Sequence, residues 1–184
     1  MKTLIIITLF LICQTTKAQD PIAGLEDQGL ESIGVNNTAI LLARLWVNEA
    51  GFETGRWRDH AGIADVIRYV GGGTIDKEAI CDYSRNLLCR KRSDRRSYIN
   101  YLDESGEAPE GWPGSMNWEN YRARWLRLIR RAEAYIRWTP VPCLERVRPR
   151  HWGAPGFRQE ELSSAGWTSL TCPGAYNVFW APEW

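Results

Sequence analysis

The sequence predicts a mainly α fold: a single helical domain over residues 19–184, with an irregular, tryptophan-rich C-terminal third and disulfide stabilisation. Three observations lead there. Between residues 37 and 138 apolar side chains recur at intervals of three and four, the spacing of one helix face. Beyond residue 143 that period gives way to Gly153, Pro155, Gly156, Gly166, Pro173, Gly174 and Pro182, which punctuate regular elements. Ten tryptophans in 184 residues are more large rings than one small core buries efficiently, and rings with a polar N–H suit surfaces that are part dry and part wet. The length fits one domain, and 24% charged with 44% hydrophobic residues excludes wholesale disorder. A formal charge of +1 from 23 basic and 22 acidic residues is too balanced for a protein that wraps nucleic acid.

Residues 1–18 read as a secretory signal peptide. Lys2 gives the positive start, Leu4 to Ile12 the apolar run interrupted by Thr8, and Thr16-Lys17-Ala18 a small-x-small cleavage site. The run is too short to span a bilayer. A retained anchor, or a lipoprotein centred on Cys13, is the rival; for the latter, bulky Ile12 stands where a small residue belongs. Cleavage removes Lys2 and Lys17 and takes the formal charge from +1 to −1. It leaves an exported protein, periplasmic or extracellular, with no stable membrane insertion. In an oxidising compartment Cys81, Cys89, Cys143 and Cys172 imply two disulfides. Three pairings are formally open, and the local one, Cys81 with Cys89 and Cys143 with Cys172, is preferred. Without a CxxC pair, and with only His60 and His151 as histidines, no zinc or other metal site is expected.

Residues 19–34 form a polar lead-in. The first strong helix starts at Asn37 or Thr38, either of which can cap it, and runs to Ala50, with Gly51 as its stop. Ala39, Leu42, Leu45, Trp46 and Glu49 share its broad face. A second helix is predicted from Asp59 to Tyr69, with the stripe Ile63, Val66, Ile67 and Val70, ending in a simple turn at Gly71-Gly72-Gly73. Thr74 or Asp76 caps a third, ending near Cys89. The basic run Arg90-Lys91-Arg92-Ser93-Asp94-Arg95-Arg96 reads as a solvated surface in an exported protein, or as one attracted to an anionic polymer. Residues 100–116 make a loop that could line a cleft. From Trp118 to Trp138 the period returns, on Tyr121, Trp125, Leu128, Ile129, Ala132 and Ile136, as in an outer helix covering a core.

The chemistry centres on Glu49. A carboxylate at the end of an apolar helix face, next to the negative end of the helix dipole, meets a setting that favours its protonated form. That is the state a general acid needs to protonate a glycosidic oxygen. The segment Ala43-Arg44-Leu45-Trp46-Val47-Asn48-Glu49-Ala50-Gly51-Phe52 resembles the catalytic-glutamate helix of the lysozyme-like superfamily. Lytic transglycosylases end that helix in a Glu-Ser-Gly-Phe-like tetrad, and spore-cortex-lytic cell-wall hydrolases in Glu-Ala-Arg-Gly; Glu49-Ala50-Gly51-Phe52 is intermediate. Gly62-Ile63-Ala64-Asp65-Val66-Ile67 resembles the second helix of the latter group, with Arg68-Tyr69 in place of its asparagine–arginine pair. The resemblance covers residues 38–70. It implies a lysozyme-like domain without cofactor, in which Glu49 donates a proton to the β-1,4 bond between N-acetylmuramic acid and N-acetylglucosamine in peptidoglycan.

Two routes stay open: a hydrolase with a second carboxylate or a positioned water, or a lytic transglycosylase using one glutamate as acid and then base. Glu53, Asp59 and Asp65 are the second-carboxylate candidates, each against the plainer reading of a cap or a surface charge. Trp112, Trp152 and Trp180, in coil-like stretches, are candidate walls for sugar rings, whereas Trp46, Trp118 and Trp125 have the spacing of core residues. His151 begins a compact aromatic turn beside Trp152, and Asn177 could bond an acetamido group. A serine triad using Ser163 or Ser164 lacks a Gly-x-Ser-x-Gly elbow. Over residues 121–150 nine arginines against two acidic residues could guide the protein to an anionic wall. The expected partner is peptidoglycan or a related polysaccharide, not nucleic acid. The alternatives are a non-catalytic secreted, envelope or virion protein that binds cell wall or serves structurally on the same fold, and an exported inhibitor using a protruding loop at 103–116.

Overall fold

A computed structural model of the chain describes residues 37–84, 88–89, 97–138, 150–156, 158–170 and 175–182. The signal segment, the lead-in, the basic run at 90–96, Cys143, Cys172 and Trp184 lie outside the described residues. Helix α1, Asn37–Ala50, buries Ala39, Leu42, Leu45 and Trp46 as its spacing predicts. Val47 accepts from the Gly51 N–H at 3.0 Å, and Gly51 takes a φ of +72°, a left-handed conformation that glycine adopts at little cost, so the helix stops there. Helix α2, Trp57–Val70, starts ahead of the predicted Asp59; Ile63, Val66 and Ile67 are buried, while Val70 at its end is exposed.

The triple-glycine turn has a packing reason. A Cβ on Gly71 would stand 2.6 Å from the Thr74 carbonyl oxygen and 2.8 Å from the Ala79 Cβ, so only glycine lets the next helix fold back this closely. Helix α3, Lys77–Tyr83, is capped by Asp76, whose Oδ1 accepts from Ala79 N–H at 2.8 Å. It is shorter than the sequence suggests. Ser84 Oγ donates to the Cys81 carbonyl at 3.1 Å, a local bond that competes with helix continuation. The Cys81–Cys89 disulfide then ties the chain beyond the helix back to it.

A 3-10 helix, Tyr98–Tyr101, leads into the loop before helix α4, Glu119–Trp138. Indole and guanidinium groups fasten that loop. Trp118 Nε1 donates to Gly106 O at 2.9 Å, Trp125 Nε1 to Asp103 O at 2.6 Å, and Arg44 Nε to Leu102 O at 2.8 Å. Trp125, Leu128, Ile129, Ala132 and Tyr135 of α4 pack on α1, which is enclosed by α2, α3 and α4. No helix among the described residues is long and apolar enough to cross a membrane.

The C-terminal third is more ordered than its glycines and prolines suggest. Strands β1 (His151–Gly153), β2 (Trp167–Leu170) and β3 (Val178–Pro182) form an antiparallel sheet in the order β1-β3-β2, with the short helix α5 (Gln159–Ser164) between β1 and β2. His151 pairs with Trp180 and Trp152 with Phe179. Pairing and packing on the helices bury Trp152 and Trp180 to 3% and 4% exposure. That corrects their expected placement as open cleft walls. These strands are too short to print an alternating pattern on the sequence.

Candidate functional site

Four elements converge at the C-terminal end of α1. Glu49 stands in the last turn of that helix, Tyr83 ends α3, His151 and Trp152 lie on β1, and Arg158 with Glu161 belongs to the start of α5. Glu49 is exposed, although Val47 and Ala50 of the same last turn are buried. The desolvated setting expected for it is therefore not what the fold provides. Its Oε1 accepts from Asn48 Nδ2 at 2.9 Å and its Oε2 from Trp152 Nε1 at 3.2 Å, and it makes no ion pair among the described residues.

Behind Glu49 the rings are locked together. Tyr83 stacks on Trp152 with centroids 4.3 Å apart and planes at 13°, and its Oη shares a 3.1 Å hydrogen bond with His151 Nδ1. Burial pushes the Tyr83 phenol up, and the neighbouring Glu49 charge adds to this, so Tyr83 is a neutral hydroxyl. Burial, then Arg158, push the His151 imidazole below its ordinary value, while Glu49 and Glu161 pull it the other way. His151 Nε2 is buried with no hydrogen-bond partner. Arg158 sits at a φ of +51°, unusual for a side-chain-bearing residue, and binds Glu161 through two bonds, Nε to Oε2 at 2.7 Å and Nη2 to Oε1. The arrangement offers two exposed carboxylates oriented at both oxygens, Glu161 in an ion pair with Arg158 and Glu49 in no ion pair among the described residues, and Glu49 stands beside two neutral polar rings.

The remaining sequence candidates are elsewhere occupied. Glu53 is exposed and pairs with Arg124 at 3.3 Å. Asp59 is 1% exposed; its Oδ2 accepts from the Tyr176 N–H at 3.1 Å and its Oδ1 from the Asn177 N–H at 2.7 Å, which pins the turn before β3 to α2. Asp65 is buried against Arg68 at 2.5 Å. Asn177 is also buried, with its side-chain Nδ2 unpartnered. Trp112 is half-buried among Phe52, Tyr98, Trp118 and Tyr121, all edge-on to it or to one another, and its Nε1 donates to Met116 O at 2.7 Å.

Of the residues singled out in the sequence, Glu49, His151 and Trp152 come together, although residues 49 and 152 are far apart in the chain. Tyr83, Arg158 and Glu161 were missed. Tyr83 follows Cys81 at the end of a helix and Arg158 stands three residues before Glu161, patterns common on any surface. No group of three His, Cys, Asp or Glu side chains among the described residues could hold a metal. Comparison of the chain with family models, with curated proteins and with solved structures returned no match.

Proposed function

We propose that the chain is an exported enzyme that cleaves glycan strands of peptidoglycan or a related polysaccharide, on a lysozyme-like domain, with Glu49 as the proton donor. One observation carries this reading: Glu49 ends a core helix as an exposed carboxylate oriented at both oxygens, with Tyr83 and His151 beside it. A glycan strand laid over the end of α1 would exclude the water that reaches Glu49 and favour the neutral carboxyl that an acid step needs. Glu49 then gives its proton to the glycosidic oxygen as the bond from that oxygen to the sugar C1 breaks.

The engagement of the other carboxylates supports the single-glutamate route. Asp59 and Asp65 are held by backbone N–H groups and by Arg68, while Glu53 and Glu161 are paired with Arg124 and Arg158. In that route the ionised Glu49 next takes the proton of the muramic acid C6 hydroxyl, whose oxygen bonds to C1 and closes an anhydro ring. Product chemistry tests the route: mass spectrometry of digested peptidoglycan should find anhydro-muropeptides. Reducing-end products would replace it with hydrolysis by a positioned water.

A further inference from the structure

Trp152 reads in the sequence as a sugar-stacking ring, and in the fold its position suits another task. We infer that Trp152 is a positioning residue for Glu49, locked in place by Tyr83, and that a saccharide does not stack on it. This role rests on Glu49 being the proton donor proposed above. Its indole Nε1 donates to Glu49 Oε2 at 3.2 Å. The ring is almost wholly buried, so its face is not offered to a ligand.

The indole has little freedom to move. One face lies against Tyr83 in a near-parallel stack, and Tyr83 is itself held through Oη by His151, the residue beside Trp152 on β1. The strand is fixed in turn by the pairing of Trp152 with Phe179, which is fully buried. By contrast the Asn48 bond to Glu49 comes from an exposed neighbouring side chain. The rigid contribution to the direction of the carboxylate is therefore the indole N–H. A reacting group held in this way avoids the misplacement that costs rate without weakening binding.

The two roles for Trp152 separate in kinetics on soluble glycan-strand fragments of peptidoglycan. Trp152→Phe keeps a ring for Tyr83 to stack on and removes the donor; kcat should fall about tenfold with KM unchanged. Tyr83→Phe keeps the stack but loses the bond to His151, and should lower kcat by less. A higher KM at constant kcat would put Trp152 back in the sugar wall, leaving the role of Glu49 intact, and unchanged kinetics would likewise overturn the positioning role. A readout independent of turnover is the Trp152 indole N–H resonance of the full chain, which should shift and exchange faster in Glu49→Ala. A resonance that stays put overturns the inference even if Trp152→Phe is slow. A wild-type protein that cleaves no wall material sinks the catalytic reading, and this role with it, whether or not the resonance shifts.

Discussion

At the scale of single residues, Asp59 and Glu53 show how differently two carboxylates of one neighbourhood act. Asp59 is buried and accepts two backbone N–H bonds that fasten the β3 turn to α2. Removing it strips the acceptor from the buried Asn177 N–H and from the half-buried bond of Tyr176 N–H, and hydrogen bonds to a charged acceptor are among the stronger ones. Asp59→Ala should lower the unfolding free energy by about 3 kcal/mol in urea denaturation. Glu53→Ala, which breaks an exposed pair with Arg124, should cost about 0.5 kcal/mol or less. Nothing local in the sequence separates the two, because the partner of Asp59 lies more than a hundred residues away.

His60 supplies the pH dependence. Burial, with Arg131 and Arg56 adding to it, pushes its imidazole from 6.5 down to about 3, and it stacks on Trp46 at 4.8 Å with both ring nitrogens unpartnered. The folded state keeps His60 neutral while the unfolded chain takes up a proton below 6.5. Stability is therefore lost as pH falls from about 6.5 to about 3, at roughly 1.4 kcal/mol per pH unit from this group. His60→Phe keeps a ring against Trp46 and should flatten that acid slope in thermal unfolding across this window. A slope equal to that of the wild type would mean that other groups set it.

At the scale of elements, the Cys81–Cys89 bond closes a short loop behind α3, and α3 carries Tyr83 into the candidate site. Loop closure of this size restricts the unfolded chain by about 2–3 kcal/mol. The Cys81→Ser, Cys89→Ser double variant should lose that much in denaturant unfolding, with α1, α2 and α4 retained in its circular dichroism. The helices were legible because their apolar residues repeat over two or more turns and end at recognisable stops, such as Gly51 after α1. The sheet was not. β1 is three residues long and β3 is buried at consecutive positions, so neither prints an alternation. Trp152 and Trp180 looked like coil tryptophans because their partners, Phe179 and His151, belong to strands brought together only by folding.

At the scale of the whole molecule, the fold places the end of α1 against β1, and this joins three residues that the sequence had marked separately. Glu49 was legible as a carboxylate ending an apolar helix, and His151 with Trp152 as an aromatic turn. Their meeting was not legible, since it depends on Asp59 and the β1–β3 pairing to carry the sheet to the helices. The loop at 103–116, the candidate inhibitory element, is fastened to the bundle at Leu102, Asp103 and Gly106. Among the described residues of the arginine-rich stretch, Arg122, Arg124, Arg127 and Arg137 of α4 and Arg150 before β1 are exposed to solvent.

The central claim is that Glu49 cleaves glycan strands, and digestion of purified peptidoglycan by the wild-type chain and by Glu49→Gln tests it most directly. Loss of a general acid typically removes about 10² to 10⁴ of rate. The expected result is soluble muropeptide release by the wild type and at least about a hundredfold less by Glu49→Gln, with both proteins equally folded by near-ultraviolet circular dichroism. Equal release by the two would contradict the role of Glu49. Folded wild-type protein that releases nothing from several wall types would contradict the enzymatic reading itself and favour a non-catalytic wall-binding or structural protein.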